Sequence, residues 1–171
     1  WIWSPQHRAG TVPQATCYFR KTIALPPARD ASLAVAADDR FRLYVNGRFV
    51  GQGNADEGIR VFDIAQRLRD GDNASAIKVV NLEGGTAGLA ARLTVVDNQR
   101  KTSAYVTDES WKASLSTSLF WNRNAFSDSR WKAARSLGAF ANFTVEQSGS
   151  ESTKSEPKTE VAQLPAPTPA Q

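Results

Sequence analysis

Apolar and polar positions alternate along short stretches of this chain. Residues 16–25 (TCYFRKTIAL) form the longest such run, rich in β-branched and aromatic residues. Pro26-Pro27 ends it, because proline cannot donate to a β-ladder. Comparable runs occupy residues 33–37, 41–45, 48–51, 58–64, 76–80, 88–96 and 102–107, divided by polar or glycine-bearing turns. The clearest turn is Asn46-Gly47, inside FRLYVNGRFVG (41–51). Asn-Gly is the pair best able to place both central residues of a type I′ turn at positive φ, so a β-hairpin is predicted there. Residues 65–68 and 129–136 each predict one helical turn. Many short strands with frequent turns predict an all-β fold, an antiparallel β-sandwich.

Length and composition then bound the picture. The chain has 171 residues and no methionine, and it opens on Trp1-Ile2-Trp3. It is therefore expected to be a piece of a longer translation product, with any secretory signal upstream. No run approaches the ~18 consecutive apolar residues of a membrane span, so membrane insertion is not expected. The single Cys17 lies in an apolar run and reads as a small buried hydrophobe, and one cysteine excludes an internal disulfide framework. From Glu146 the composition shifts to Ser, Thr, Glu, Lys, Pro and Ala. Such a segment buries too little apolar surface to offset its ordering entropy, so residues 146–171 are expected to be a disordered linker after a domain spanning 1–145. The net charge is +4, but basic residues are scattered and interleaved with acidic ones. That pattern reads as a solvated surface, and no nucleic-acid partner is expected.

The hairpin, the segment VFDIAQRLRDGDN (61–73) and the strand at 76–80 together resemble the jelly-roll, galactose-binding-domain-like domains of bacterial α-L-rhamnosidases and of the β-galactosidase and β-glucuronidase group. YFRKTIALP (18–26) is similar to the first core strand of those domains. FSDSRW (126–131), followed by Leu137-Gly138, is similar to their Phe-Asp-Asp-Ser-x-Trp stretch, with Ser127 in place of the first Asp. WIWSP at the start, NLEGGTAGL (81–89) and DESW (108–111) resemble an accessory version found in multidomain bacterial proteins, planctomycete ones especially. One departure is clear. In the β-galactosidase group the Phe-Asp-Asp-Ser-x-Trp stretch precedes the Leu-Pro strand, whereas here it follows, which points to the rhamnosidase-type arrangement. The resemblance covers most of residues 1–138. It implies a non-catalytic accessory module of a secreted or envelope protein, with a glycan and an adjacent domain of the same polypeptide as partners. The fold often holds a structural calcium, but no Asp-x-Asp-x-Asp-Gly loop is present, so no ligands are assigned.

If the strands alternate direction, their loops sort to two ends of the sandwich. One end, here end A, collects 5–14, 38–40, 52–57, 81–87 and the chain from 108 onward. End B collects Asn46-Gly47, 68–75 and 97–101. Most groups suited to hydroxyl recognition fall at end A: Asp38, Asp39, Arg40, Asn54, Asn81 and Glu83, with His7, Asp56 and Glu57 nearby. Carboxylates and amides bind paired sugar hydroxyls, and an aromatic face covers the C–H patch of a pyranose. Trp121, in a polar-flanked loop, is the expected platform, whereas Trp111 and Trp131 are expected to wedge into the core. A plainer reading stands beside this one: Asp38-Asp39-Arg40 forms only a polar turn, Asp63 caps the turn at 65–68, and His7 decorates the surface. The end-A carboxylates could supply a glycosidase acid–base pair, but no nucleophile elbow, phosphate loop or His/Cys metal spacing accompanies them, and an enzyme is not expected. Two functions therefore stay open: a carbohydrate-binding module, or a structural module that packs on its neighbour and binds no sugar.

Overall fold

The computed structural model describes residues 1–138, so the linker reading of 146–171 and the end of the domain at 145 lie outside the described residues. Among the described residues twelve strands follow one another: β1 (Ile2–Trp3), β2 (Ala15–Leu25), β3 (Ala28–Asp38), β4 (Arg40–Val45), β5 (Arg48–Asn54), β6 (Arg60–Asp63), β7 (Gly71–Asn81), β8 (Gly88–Asp97), β9 (Thr102–Val106), β10 (Lys112–Ser114), β11 (Lys132–Ala133) and β12 (Arg135–Ser136). They form two six-stranded antiparallel sheets. The first is ordered β12-β1-β8-β3-β6, with β9 also paired to β8; the second is β11-β10-β2-β7-β4-β5. An all-β sandwich is thus the architecture, and the strands at 33–37 and 76–80 extend further than their apolar runs, to 28–38 and 71–81.

Alternation explains the layering. In β2, Cys17 and Phe19 point into the sandwich, where they meet Ile77 and Val79 of β7 and Phe41, Leu43 and Val45 of β4. Leu33 and Val35 of β3, with Leu89, Leu93 and Val95 of β8, supply the opposing layer. Full burial of each such side chain contributes about 1.5–3 kcal/mol. Trp111 closes one open edge of the sandwich: it is buried, and its indole N–H donates to the Val106 carbonyl at 3.2 Å. The chain crosses there from β9 to β10, at mid-height rather than at end A, because Lys112 pairs with Arg20 in the middle of β2. Cys17 is buried as expected, and loss of solvation pushes its thiol pKa up to about 12, so it stays protonated and inert.

The hairpin turn is as the Asn-Gly pair predicts, with φ of 52° at Asn46 and 81° at Gly47. Asn46 does more than turn the chain. Its amide donates to the Arg67 carbonyl and to Asn73 Oδ1, each at 2.8 Å, and its Oδ1 accepts from the Ala74 N–H at 2.9 Å. These bonds tie the hairpin tip to β7 and to the 3-10 turn Ala65–Arg67. Asp63 supports that turn by accepting from the Ala65 N–H at 3.0 Å. The second helical turn, expected at 129–136, is absent: those residues include β11 and β12, because pairing to β10 and β1 satisfies their backbone groups better than a single isolated turn would.

The segment between β10 and β11 lies across the outer face of the second sheet, anchored by Arg20. This arginine faces outward on β2, yet its side chain is only 1% exposed. Its Nε donates to Asp128 Oδ2 at 3.0 Å. Nη1 donates to the carbonyls of Trp121 at 2.5 Å and Arg123 at 3.0 Å, and Nη2 to that of Phe126 at 3.3 Å. The guanidinium also stacks 5.2 Å from the Phe126 ring. Its planar fork thus meets a set of acceptors that no other side chain could match.

Two stability outcomes follow from this packing. Gly47→Val forces a β-branched residue into positive φ and places a Cβ 2.9 Å from Arg123 Cγ, so chemical denaturation should show a loss of about 1 kcal/mol or more. An unchanged midpoint would refute this account of the turn. Arg20→Leu leaves Asp128 and three carbonyls without their donor, and should lower stability by about 3 kcal/mol or more. A loss below about 1 kcal/mol would show that the segment holds its place without the guanidinium.

Candidate functional site

End A is built where β3 gives way to β4. The register sets Ala15 against Asn81, Arg40 against Asn54 and Asp38 against Gly88, so the loops 5–14, 38–40, 54–59 and 81–87 share one end of the sandwich. Two of these loops are laced together, with Val12 and Gly85 exchanging backbone bonds of 2.9 and 2.8 Å. The Asp38–Asp39 peptide is cis.

The two aspartates do different work. Asp39 Oδ2 accepts from the backbone N–H of Leu82 at 2.6 Å and of Glu83 at 3.3 Å, which holds its carboxyl pKa below the ordinary aspartate range. Asp38 Oδ2 accepts from the Thr86 hydroxyl at 2.8 Å. Partial burial raises the Asp38 pKa, and the neighbouring Asp39 and Glu83 charges push the same way. The pair therefore holds one carboxylate committed to the 82–83 backbone and one beside a cleft of about 500 Å³, lined by Trp1, Gly10, Asp38, Thr86, Gly88 and Arg135 among others. The Trp1 ring lies against Gly88, where a Cβ would come within 2.7 Å of the indole. Arg135 Nη2 donates to the Ser4 carbonyl at 3.4 Å, and its Nε is buried without a partner among the described residues. One rim of the cleft thus offers a carboxylate and a hydroxyl, another a guanidinium, and the indole an apolar plane.

The remaining sequence candidates separate. Asn81 is buried and braces the loop, donating to the Pro13 carbonyl at 3.2 Å and accepting from Gly84 N–H at 3.1 Å. Asn54 caps the short 3-10 turn Ala55–Glu57, accepting from the Glu57 N–H at 3.1 Å. Glu83 is exposed beside Asp39. Arg40 turns to the outer face of the second sheet, away from the cleft. His7 accepts from the Trp3 indole N–H at 3.3 Å. Trp121 needs a correction. It is half-buried on the outer sheet face, with its ring 5.0 Å from Tyr18, 5.8 Å from Tyr44 and stacked 6.2 Å from Trp131. Trp131 belongs to this outer cluster too, and not to the core. Both follow from Arg20, which draws their segment across the sheet. Thr86, Trp1 and Arg135 carry no local signal that marks them as site residues; Arg135 reaches the cleft only through the pairing of β12 with β1.

Among the described residues no three His, Cys, Asp or Glu side chains converge as a metal site. No ligand set is therefore assigned to the structural calcium that the resemblance implies.

No protein-family model matches the sequence, and no curated protein does. Solved structures do. The chain is similar to Streptomyces avermitilis α-L-rhamnosidase complexed with L-rhamnose, at 30% identity and TM-score 0.73, over 79% of this chain and 14% of that one. It is similar to Pleurotus ostreatus lectin at 33% identity and TM-score 0.76, over 82% of this chain and 41% of the lectin, a protein also solved in complex with GalNAc. A Bacillus sp. GL1 rhamnosidase shares the fold, with 23% identity and TM-score 0.70, over 84% of this chain and 19% of that one. The chain spans less than half the length of each. Its fold class is accordingly plain: a jelly-roll domain similar to sugar-binding-like domains of an α-L-rhamnosidase and a Pleurotus lectin.

The carboxylate pair generates a pH outcome. A raised folded pKa means that the native state binds more protons than the unfolded one, so Asp38 lowers stability as pH rises just above the ordinary aspartate range. Asp39, with a lowered pKa, acts oppositely: its contribution is present above that range and lost as pH falls. In denaturation series across pH, Asp38→Asn should flatten the loss on the upper side and Asp39→Asn the loss on the acid side. Profiles parallel to the wild type would show that neither carboxyl is perturbed.

Proposed function

We propose that the chain is a non-catalytic carbohydrate-binding module, holding a neutral sugar in the end-A cleft, within a larger extracytoplasmic protein whose adjacent domain it serves. The observation that carries this reading is the convergence on one cleft of the Asp38 carboxylate, the Thr86 hydroxyl, the Arg135 guanidinium and the Trp1 indole. Paired hydroxyls on a pyranose need acceptor and donor groups at close quarters, and the opposite sugar face needs an apolar plane. The solved relatives support it, since one is a lectin complexed with GalNAc and another a rhamnosidase complexed with L-rhamnose. The non-catalytic part is supported by the aspartates' geometry. A glycosidase needs two carboxyls flanking the scissile bond at roughly 5–10 Å, whereas Asp38 and Asp39 are adjacent and one is committed to backbone donors.

The structural-module reading has one observation in its favour. Leu119 is 83% exposed and Phe120 56%, at the tip of the segment that crosses the outer sheet, where a neighbouring domain could cover them.

A glycan array that includes terminal rhamnose and GalNAc should show saturable binding at about millimolar to micromolar affinity, as suits a shallow site. Asp38→Asn, which keeps an acceptor for Thr86 but removes the charge, should weaken binding at least tenfold. Lys101→Ala at end B should not. Equal loss in both variants, or no binding across the array while Leu119→Ser releases a co-purifying neighbour domain, would replace the sugar reading with the structural one.

A further inference from the structure

Away from end A, the outer face of the second sheet carries a second set of groups with nothing to bind. The segment anchored by Arg20 covers only part of that face. From Tyr18, against which Trp121 packs, one cross-strand row continues to Lys78, Arg42 and Gln52, and the next row toward end A reads Thr16, Val80, Arg40, Asn54. Arg40 and Arg42 are alternate residues of β4, so they project from one face about 6.7 Å apart along the strand. Lys78 stands directly opposite Arg42, at a Cβ separation of about 5 Å. Three cations are thereby gathered in one patch.

Their surroundings make the gathering informative. Arg20 is paired with Asp128 and Arg60 with Glu57. Arg42 and Lys78 have no ion-pair or hydrogen-bond partner among the described residues, and Arg40 neighbours Asp39, whose carboxyl pKa it helps to lower. Like charges set directly opposite on a sheet destabilise it. An anion seated between them would reverse that cost. The patch floors an open groove of about 940 Å³, in which Gln52 presents an amide and Phe49, 49% exposed, presents a ring, while the paired Arg60 and Glu57 also line it and Asn54 is held by Glu57.

We propose that this groove is a second binding site, independent of the end-A cleft, for an acidic saccharide: one sugar's carboxylate or sulfate lies among Arg40, Arg42 and Lys78, and the adjoining residue packs its C–H face on Phe49 with hydroxyls on Gln52. The clustering favours a saccharide over nucleic acid. A nucleic-acid strand presents a phosphate at each nucleotide and is matched by cations strung along a path with several stacking rings. Here the cations converge on one spot, and the groove offers one exposed ring beside the Gln52 amide, which suits a single anionic group flanked by hydroxyls.

The test uses the full chain in calorimetric titrations with oligogalacturonate, its methyl-esterified neutral counterpart, a sulfated carrageenan oligosaccharide and oligo-dT. Saturable binding of the uronate or the sulfated oligosaccharide is expected, and which of them binds identifies the anion. The neutral ester should bind at least tenfold more weakly. Arg42→Gln and Lys78→Gln should each cost about tenfold, while Asp38→Asn and Lys101→Gln should leave affinity unchanged, and near-UV dichroism should confirm that each variant is folded. Amide shifts in Arg42, Lys78 and Gln52 on titration should mark the groove. The proposal fails if neither acidic oligosaccharide binds, if Lys101→Gln weakens binding as much as Arg42→Gln, or if oligo-dT binds more tightly and displaces the saccharide. Loss of end-A binding in Asp38→Asn with this binding intact separates the two sites.

Discussion

A single buried guanidinium organises the outer half of this domain. Arg20 occupies a β2 position that alternation assigns to solvent, and a long cation there would ordinarily remain in water. Instead, the segment between β10 and β11, which has almost no regular structure of its own, supplies a carboxylate and three carbonyls in the geometry of the arginine fork. Ala74 and Ala76, outward-facing residues of β7, are fully buried on this face. Small side chains there let the covering segment approach closely, and Tyr18, Tyr44, Trp121 and Trp131 fill the space around it.

This arrangement has consequences at both candidate sites. By crossing the sheet, the segment returns the chain to β10 and then delivers β12 to β1, which carries Arg135 to the cleft beside Asp38. Because the covering reaches Tyr18 but leaves Arg42 and Lys78 lining open space, a basic groove remains on the same face. The end-A cleft and the groove therefore depend on one anchor, although they present opposite chemistries: partly desolvated carboxylate on one side, unneutralised cations on the other.

End A shows how a polar loop cluster divides into support and site. Asp39, Asn81 and Asn54 spend their acceptors on nearby backbone N–H groups, which fixes the loops but leaves those atoms little capacity for a ligand. Asp38 accepts from the Thr86 hydroxyl, lies beside the Asp39 carboxyl and borders open volume. The shared fold of a lectin and of rhamnosidase domains is consistent with this division, since the sandwich is common while ligand choice resides in the loops.

Local features are legible in the amino-acid sequence itself. The Asn46-Gly47 turn, the alternating runs of β2, β4 and β8, buried Cys17 and the turn following Asp63 are each set by steric or hydrogen-bonding rules that act over a few residues. Strand alternation alone also sorts the loops at 38–40 and 81–87 to one end. What the tertiary structure decided was long-range. Trp121 and Trp131 went to the outer face because Arg20, more than a hundred residues away in sequence, binds the carbonyl of one and the turn beside the other. Residues 129–136 became strand edges rather than a helical turn because β10 and β1 offered them partners. A sequence lists which residues carry charge and hydrogen-bonding capacity; which of those capacities are consumed internally, and which remain for a ligand, depends on contacts that exist only once distant segments pack.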